Sequence, residues 1–271
     1  MRVFGFFVIA AALVSFKANG ADAKKDLSQA DVDGIVQKFA AKEAAFAQAR
    51  EAYTYRQTAN IRELDDGGNT TGRWEMVSDI IFTGDGKRTE HVVRSPVPSL
   101  HQILLTPEDM EDMRSVQPFV LTTTELPNYW IRYLGHQNVD EIGTYVFAVK
   151  PKKVEGQKRY FSGEVWVDDR DFQIVKSYGR AVGTANRKEN NAFPKFETYR
   201  EQIDGKYWFP TYTIANDTLH FKDNDVRIKH TIKYEDYKQF KSTTTITFGD
   251  VADDQKDQKK DEKPPVKKQQ Q

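Results

Sequence analysis

The chain contains no cysteine, so disulfides, thiolate chemistry and a lipid-modified N-terminal cysteine are all excluded. It carries no net charge either: 40 Lys and Arg stand against 40 Asp and Glu. Nucleic-acid binding needs a basic excess or a basic stripe to displace counterions from phosphates, so that class of partner is not expected. Histidine is scarce, at five residues, and none pairs with another His or a carboxylate at metal-ligand spacing. There is no HExxH, no G-x-S-x-G elbow, no Walker A loop and no G-x-G-x-x-G. No metal, cofactor or catalytic residue is therefore assigned. After the first residues, no apolar run reaches the roughly 20 residues needed to span a bilayer.

The one early apolar run, Val3–Phe16, follows a short basic start, Met1-Arg2, and precedes two small-x-small sites, Ala18-Asn19-Gly20 and Ala21-Asp22-Ala23. That is the pattern of a secretory signal peptide over residues 1–23, cleaved after Gly20 or Ala23. The mature chain is expected to be exported and soluble, which in a Gram-negative cell means the periplasm, and any membrane attachment has to come from a partner. Residues 251–271 are Lys, Asp, Glu and Gln with Pro264-Pro265 and no apolar pattern, as expected of a disordered, solvating tail. One domain, 24–250, lies between.

What the chain has in quantity is aromatic side chains: 17 Phe, 12 Tyr and 4 Trp, enough for one sizeable core. Ser28-Gln29-Ala30-Asp31 reads as a capping box, and Val32, Ile35, Val36, Phe39 and Phe46 follow helical spacing, predicting an amphipathic helix over about Gln29–Ala52. From Tyr53 the period changes to two. Tyr53–Arg62, Gly72–Phe82 and Arg88–Arg94 form a meander, with turns at Asp65–Asn69 and Gly84–Gly86. Thr106-Pro107-Glu108-Asp109 then starts a short helix: an N-cap, Pro in the first turn, and acids at the positive end of the dipole. Strands resume at Trp130–Leu134 and Gly143–Lys150. They continue through Lys195–Ile203 and Lys206–Ile214, joined by Asp204-Gly205 as a type I′ turn, to Leu219–Phe221 and Val226–Tyr237. Gly183–Asn191 is a polar loop. The fold class is α+β: about ten or eleven strands joined almost entirely by hairpins, hence one large twisted antiparallel sheet. The N-terminal amphipathic helix and the short inserted helix accompany it.

The middle of that sheet is the hairpin Arg159–Gly179. With Asp169 and Arg170 as its two-residue loop, Val167 lies opposite Phe172, Val165 opposite Ile174 and Phe161 opposite Tyr178. Glu164, Gln173 and Ser177 then turn to the other face with Trp166. Asp168, Asp169 and Asp171 could together hold Ca²⁺, but Asp is above all a turn residue, and turn chemistry is the stronger reading. His91 and His230 read as surface or edge positions in strands. Large apolar groups on both faces, as at Trp166 and in Tyr207-Trp208-Phe209, mean either that both faces are covered or that one lines an apolar cavity.

Several of these strands resemble the LolA/LolB/RseB-type superfamily of periplasmic lipoprotein carriers. The resemblance rests on Gly143–Pro151 (GTYVFAVKP), Gly163–Asp168 (GEVWVD), Phe172–Lys176 (FQIVK), Tyr178-Gly179 and Tyr207–Pro210 (YWFP). It implies an unclosed, strongly curved half-barrel with its helices on the concave side, enclosing a hydrophobic cavity for acyl chains. Under that resemblance, the cavity lining falls to Tyr55, Trp74, Ile80, Phe147, Val165, Phe172 and Ile174, with Ile35 and Phe39 of the helix as a lid. Read from the residues alone, the filled core beneath a helix is the leading reading of the same face. Ser99–Thr124, with its Thr106-Pro107 helix, departs from the carriers' usual strand pair. The implied function is a non-catalytic carrier or binding protein, monomeric, with a lipoprotein or other lipid ligand and an envelope membrane protein as partner. The alternative is an RseB-like regulatory module acting through protein contact; an enzyme is the least favoured.

Overall fold

The computed structural model describes residues 27–83, 86–156, 158–183 and 194–240. The segments expected to be a signal peptide and a disordered tail, and nearly all of the expected Gly183–Asn191 loop, lie outside the described residues. The N-terminal helix α1 spans Gln29–Ala49 and opens on a reciprocal capping box. Ser28 Oγ accepts from the Asp31 N–H at 3.2 Å, and the Asp31 carboxylate accepts from the Ser28 N–H at 3.2 Å. The predicted stripe Val32, Ile35, Val36, Phe39 and Phe46 is buried, joined by Ala40 and by a charged residue, Glu43. One 3₁₀ turn, Arg50–Ala52, ends the helical stretch.

Ten strands follow: β1 Tyr53–Leu64, β2 Thr70–Phe82, β3 Arg88–Arg94, β4 Tyr129–Val139, β5 Ile142–Pro151, β6 Tyr160–Asp168, β7 Ile174–Val182, β8 Phe196–Ile203, β9 Tyr207–His220 and β10 Asp225–Gln239. Their order is β3-β2-β1-β10-β9-β8-β7-β6-β5-β4, one curved antiparallel sheet whose two end strands do not meet. Leu219–Phe221, expected as a separate strand, instead begins within β9, and β4 runs on past Leu134 to Val139. The Asp204-Gly205 turn has φ of 53° and 67°, as type I′ requires. Between the two open edges, residues 95–128 cross the concave face. They carry α2 (Pro107–Glu111), capped by Thr106, and a π turn, Asp112–Val116.

The register places Tyr133, Phe147, Val165, Ser177, Thr198, Thr213, Ile232, Ala59 and Met76 side by side along the concave face. This row is apolar at both ends and polar in the middle. On the convex face Val146, Trp166 and Val175 form their own small cluster, so both faces are covered there.

The β6–β7 hairpin differs from the two-residue turn expected of it. Val165 faces Ser177, not Ile174; Val167 faces Ile174, across a bulge; and Phe161 faces Ala181. Ser177 therefore shares the concave face with Val165. Phe172 belongs to the turn, with φ of 60°. The reason is the turn chemistry of Asp168, whose carboxylate accepts from the N–H groups of Arg170 at 2.7 Å and Asp171 at 3.2 Å, while the Asp168 N–H donates to Gln173 O. That loop is longer than two residues and shifts every pair beyond it.

Gly163 and Gly179 are cross-strand partners, with the Phe161 ring lying over them. A Cβ on Gly179 would stand 2.5 Å from Ser162 O and 2.8 Å from both Gly163 Cα and the Phe161 ring. Gly179→Ala is expected to lower stability by about 1–3 kcal/mol through this overpacking. Gly34→Ala, on an open face of α1, is expected to raise it by about 0.5–1 kcal/mol. Urea unfolding of the two variants measures both changes.

Candidate functional site

Three buried carboxylates fasten the concave face. Glu63, on β1, is fully buried and accepts from the successive N–H groups of His101 (2.9 Å), Gln102 (2.7 Å) and Ile103 (2.9 Å). Asp112 takes a two-pronged pair from Arg159, at 2.7 and 2.6 Å. Glu43, on α1, accepts from Arg200 Nη1 through both oxygens at 3.1 Å and from the Ile174 N–H at 3.1 Å. The other Arg200 nitrogen, Nη2, donates to Phe119 O in the crossover. Burial raises the Glu43 carboxyl above its usual range against the pull of Arg200. Next to this pair, Thr198 donates to Gln117 O at 2.8 Å, and the Gln117 side chain meets His230 Nε2 at 3.0 Å. His230 is thus an interior residue, contrary to its expected surface or edge position, because it lies on the inward face of β10 with Ile228 and Ile232.

Beside this polar seam lies a cavity of about 730 Å³. Its apolar wall is aromatic: Phe46 from α1, Tyr55 from β1, Phe82 from β2, Phe209 from β9, and Tyr234 and Tyr237 from β10. Tyr55 stacks on Tyr237 with centroids 5.1 Å apart, and Phe209 stands 4.8 Å from Tyr237 and 5.1 Å from Phe46. The Tyr237 hydroxyl donates to Pro210 O at 2.6 Å, and burial raises its pKa well above the usual phenol value. Three arginines, Arg50, Arg88 and Arg114, also line the space, and the exposed side chains of Glu111, Arg114, Ser115 and Thr124 form its rim. No histidine is among its lining residues.

Of the nine residues expected to line a cavity, Tyr55 is among those around this one. Ile35, Phe39, Phe147, Val165 and Ile174 come together under α1 as one packed cluster with Phe119, Leu121 and Phe161. Trp74 packs with Met76, Met113 and Ile232 in a second cluster, and Ile80 is fully buried on β2. Phe172 is half-buried at the β6–β7 turn, with Lys38 Nζ 4.9 Å from its ring centre. The three Asp carboxylates of that turn go to different partners: Asp168 to backbone N–H groups, Asp169 to His136 at 2.8 Å, and Asp171 to the Trp208 indole N–H at 2.8 Å. Among the described residues no cluster of three or more His, Asp or Glu is placed to hold a metal ion, and no helix is long and apolar enough to cross a membrane.

No protein-family model matches the chain, and no curated protein matches it. Among solved structures it is similar to a LolA superfamily protein from Nitrosomonas europaea, at 15% identity and a TM-score of 0.33, over 77% of this chain and 93% of that one. It is also similar to an outer membrane lipoprotein-sorting protein domain from Vibrio parahaemolyticus, at 11% identity and a TM-score of 0.35, over 77% and 94%. A third match is MucB, at 14% identity and a TM-score of 0.26, over 77% and 94%.

Two outcomes follow from the polar seam. Arg200→Met leaves the Glu43 carboxylate buried without its cation and is expected to cost about 3–5 kcal/mol, read by denaturant unfolding at neutral pH. Burial pushes the His230 imidazole down to about 4, so it stays neutral in the fold while the unfolded chain protonates it near its usual 6.5. Its contribution is complete above pH 6.5 and is lost as the pH falls toward 4. The expected loss is about 3 kcal/mol. His230→Gln flattens this part of the stability profile.

Proposed function

We propose that the chain is an exported, non-catalytic carrier or binding protein for lipid-modified or otherwise acylated ligands. The observation that carries this reading is the aromatic cavity between the C-terminal end of α1, the crossover and strands β1, β9 and β10. Its volume, about 730 Å³, lies in the range of small-molecule sites, and its aromatic side suits an acyl chain, facing a polar side of three arginines and three glutamates. Each methylene taken from water contributes about 0.8 kcal/mol, so a ten-carbon chain gains about 8 kcal/mol before the ordering cost of binding. In this reading Ile35, Phe39, Phe147, Val165 and Ile174 become ligand-facing only when α1 lifts from the sheet, whereas Tyr55 faces the ligand throughout.

Protein contact is the second reading, favoured by the edge strand β3, where Val92 and Val93 are about half exposed beside an unpaired strand backbone. One measurement separates the two. Native mass spectrometry of the protein released from the periplasm, followed by organic extraction, is expected to show a co-purifying acyl species. Ala47→Trp, which fills the cavity from α1, is expected to remove it. An apo mass in repeated wild-type preparations overturns the carrier reading and leaves protein contact.

A further inference from the structure

An arginine on the wall of a partly aromatic cavity, with no acceptor from the protein, is placed to take one from a ligand, because an amide or guanidinium donor withdrawn from bulk water gains from being paired. Arg50 lines the cavity, and its side chain makes no hydrogen bond or ion pair among the described residues; its Nε is closed off from solvent. Burial, more than any neighbouring charge, lowers its pKa. Its position at the end of α1 favours a cation through the helix dipole, which is worth about 0.3–1 kcal/mol. That accounts for the charge but not for donors left without acceptors.

The other charges around the cavity are already engaged. Arg88 donates to Glu90 at 3.3 Å and to Gln57 at 3.2 Å, and Arg114 donates to the same Glu90 oxygen at 2.9 Å. Burial pushes the Glu90 carboxyl up, but the two arginines outweigh it and hold it below the usual range. Glu125 is taken by Lys158 at 3.1 Å, and Glu43 by Arg200. Glu51 and Glu111 are exposed to solvent. Arg50 is left as the cation with open donors: its Nε and that of Arg88 are closed to the cavity, and the Nη nitrogens of Arg50 are the ones without a protein partner that a ligand can reach.

We propose that Arg50 is the headgroup site of the cavity and that the ligand is an anionic amphiphile, its phosphate or carboxylate on the guanidinium and its tail along Phe46, Tyr55, Phe209 and Tyr237. A planar guanidinium pairs with either anion through two parallel N–H donors, a geometry that neither a sugar nor an ammonium headgroup can return. The inference rests on the carrier reading and narrows it from acyl chains in general to those bearing an acidic head.

The test compares decyl phosphate, decanoate and decyl maltoside, which share a similar tail, by isothermal titration calorimetry below their micelle concentrations. Wild-type protein is expected to bind at least one of the two anionic probes about ten-fold more tightly than the maltoside, and the tighter of the two tells a phosphate head from a carboxylate head. Arg50→Met is expected to bring the anionic and neutral affinities to within about two-fold of each other, and Arg50→Lys to keep part of the difference. Equal affinities in the wild type overturn the headgroup site and leave the carrier reading standing. This comparison needs no variant to fold. A preference that survives Arg50→Met overturns the assignment to Arg50. Binding of none of the three probes overturns the carrier reading itself, and the headgroup site with it.

Discussion

The ion pair between Glu43 and Arg200 is the constraint on which the concave side depends. Its two members come from α1 and β8, and the same groups reach the Ile174 N–H at the start of β7 and Phe119 O in the crossover. Helix, sheet and crossover are thus held at one point by charges shut away from water. Such a pair gives little net stability against an apolar pair of the same shape, since desolvation offsets the Coulombic gain. What it does is make every arrangement that separates the partners expensive. Glu63 and Asp112 act in the same way on either side of α2, so the crossover is held from both flanks of the sheet.

This arrangement explains where the cavity is. Under the first turns of α1, Phe39, Phe147 and Phe161 belong to one buried apolar cluster, and Trp74 and Ile232 belong to a second. Between them the concave row turns polar at Ser177, Thr198 and Thr213, and Arg200 and Gln117 stand over it. Hydrogen-bonded side chains of fixed direction do not collapse into gaps as aliphatic ones do. Beyond the seam, large aromatics and long arginines meet without filling the volume.

Much of the fold is legible in the residues. The capping box at Ser28, the N-cap at Thr106, the switch from helical to alternating period at Tyr53 and the Asp204-Gly205 turn all rest on local physics, and each lies where its local chemistry puts it. The β6–β7 register was out of reach because it depends on which backbone groups the Asp168 carboxylate captures. The polar seam left a signal in the residues that the expectation of a surface or edge position for His230 passed over. Glu43 sits on the helical stripe between Phe39 and Phe46, Arg200 shares a strand face with Phe196 and Thr198, and His230 alternates with Ile228 and Ile232. A charge at a core position of an otherwise regular pattern signals a buried partner elsewhere. The location of the cavity was not legible, because Arg50, Phe82, Glu111 and Pro210 converge only once the crossover has been laid across the sheet.

The same magnitudes decide how a ligand would enter. Lifting the end of α1 separates Glu43 from Arg200 and strands both charges in the interior, an expense of about 3–5 kcal/mol. On the other side, the rim at Glu111, Arg114, Ser115 and Thr124 is open to solvent, and the ion pair across it joins Arg114, 41% exposed, to Glu90. Glu90 itself is only 10% exposed, so the pair is worth more than the ~0–1 kcal/mol of a fully exposed one, but less than a pair closed on both sides. Displacing Arg114 leaves Glu90 its second cation, Arg88, so no charge is stranded. The lower-cost route into the aromatic cavity therefore runs past Arg114 and leaves α1 seated. On that route only the Arg114 side chain has to move, while α1 and the crossover backbone keep their buried ties.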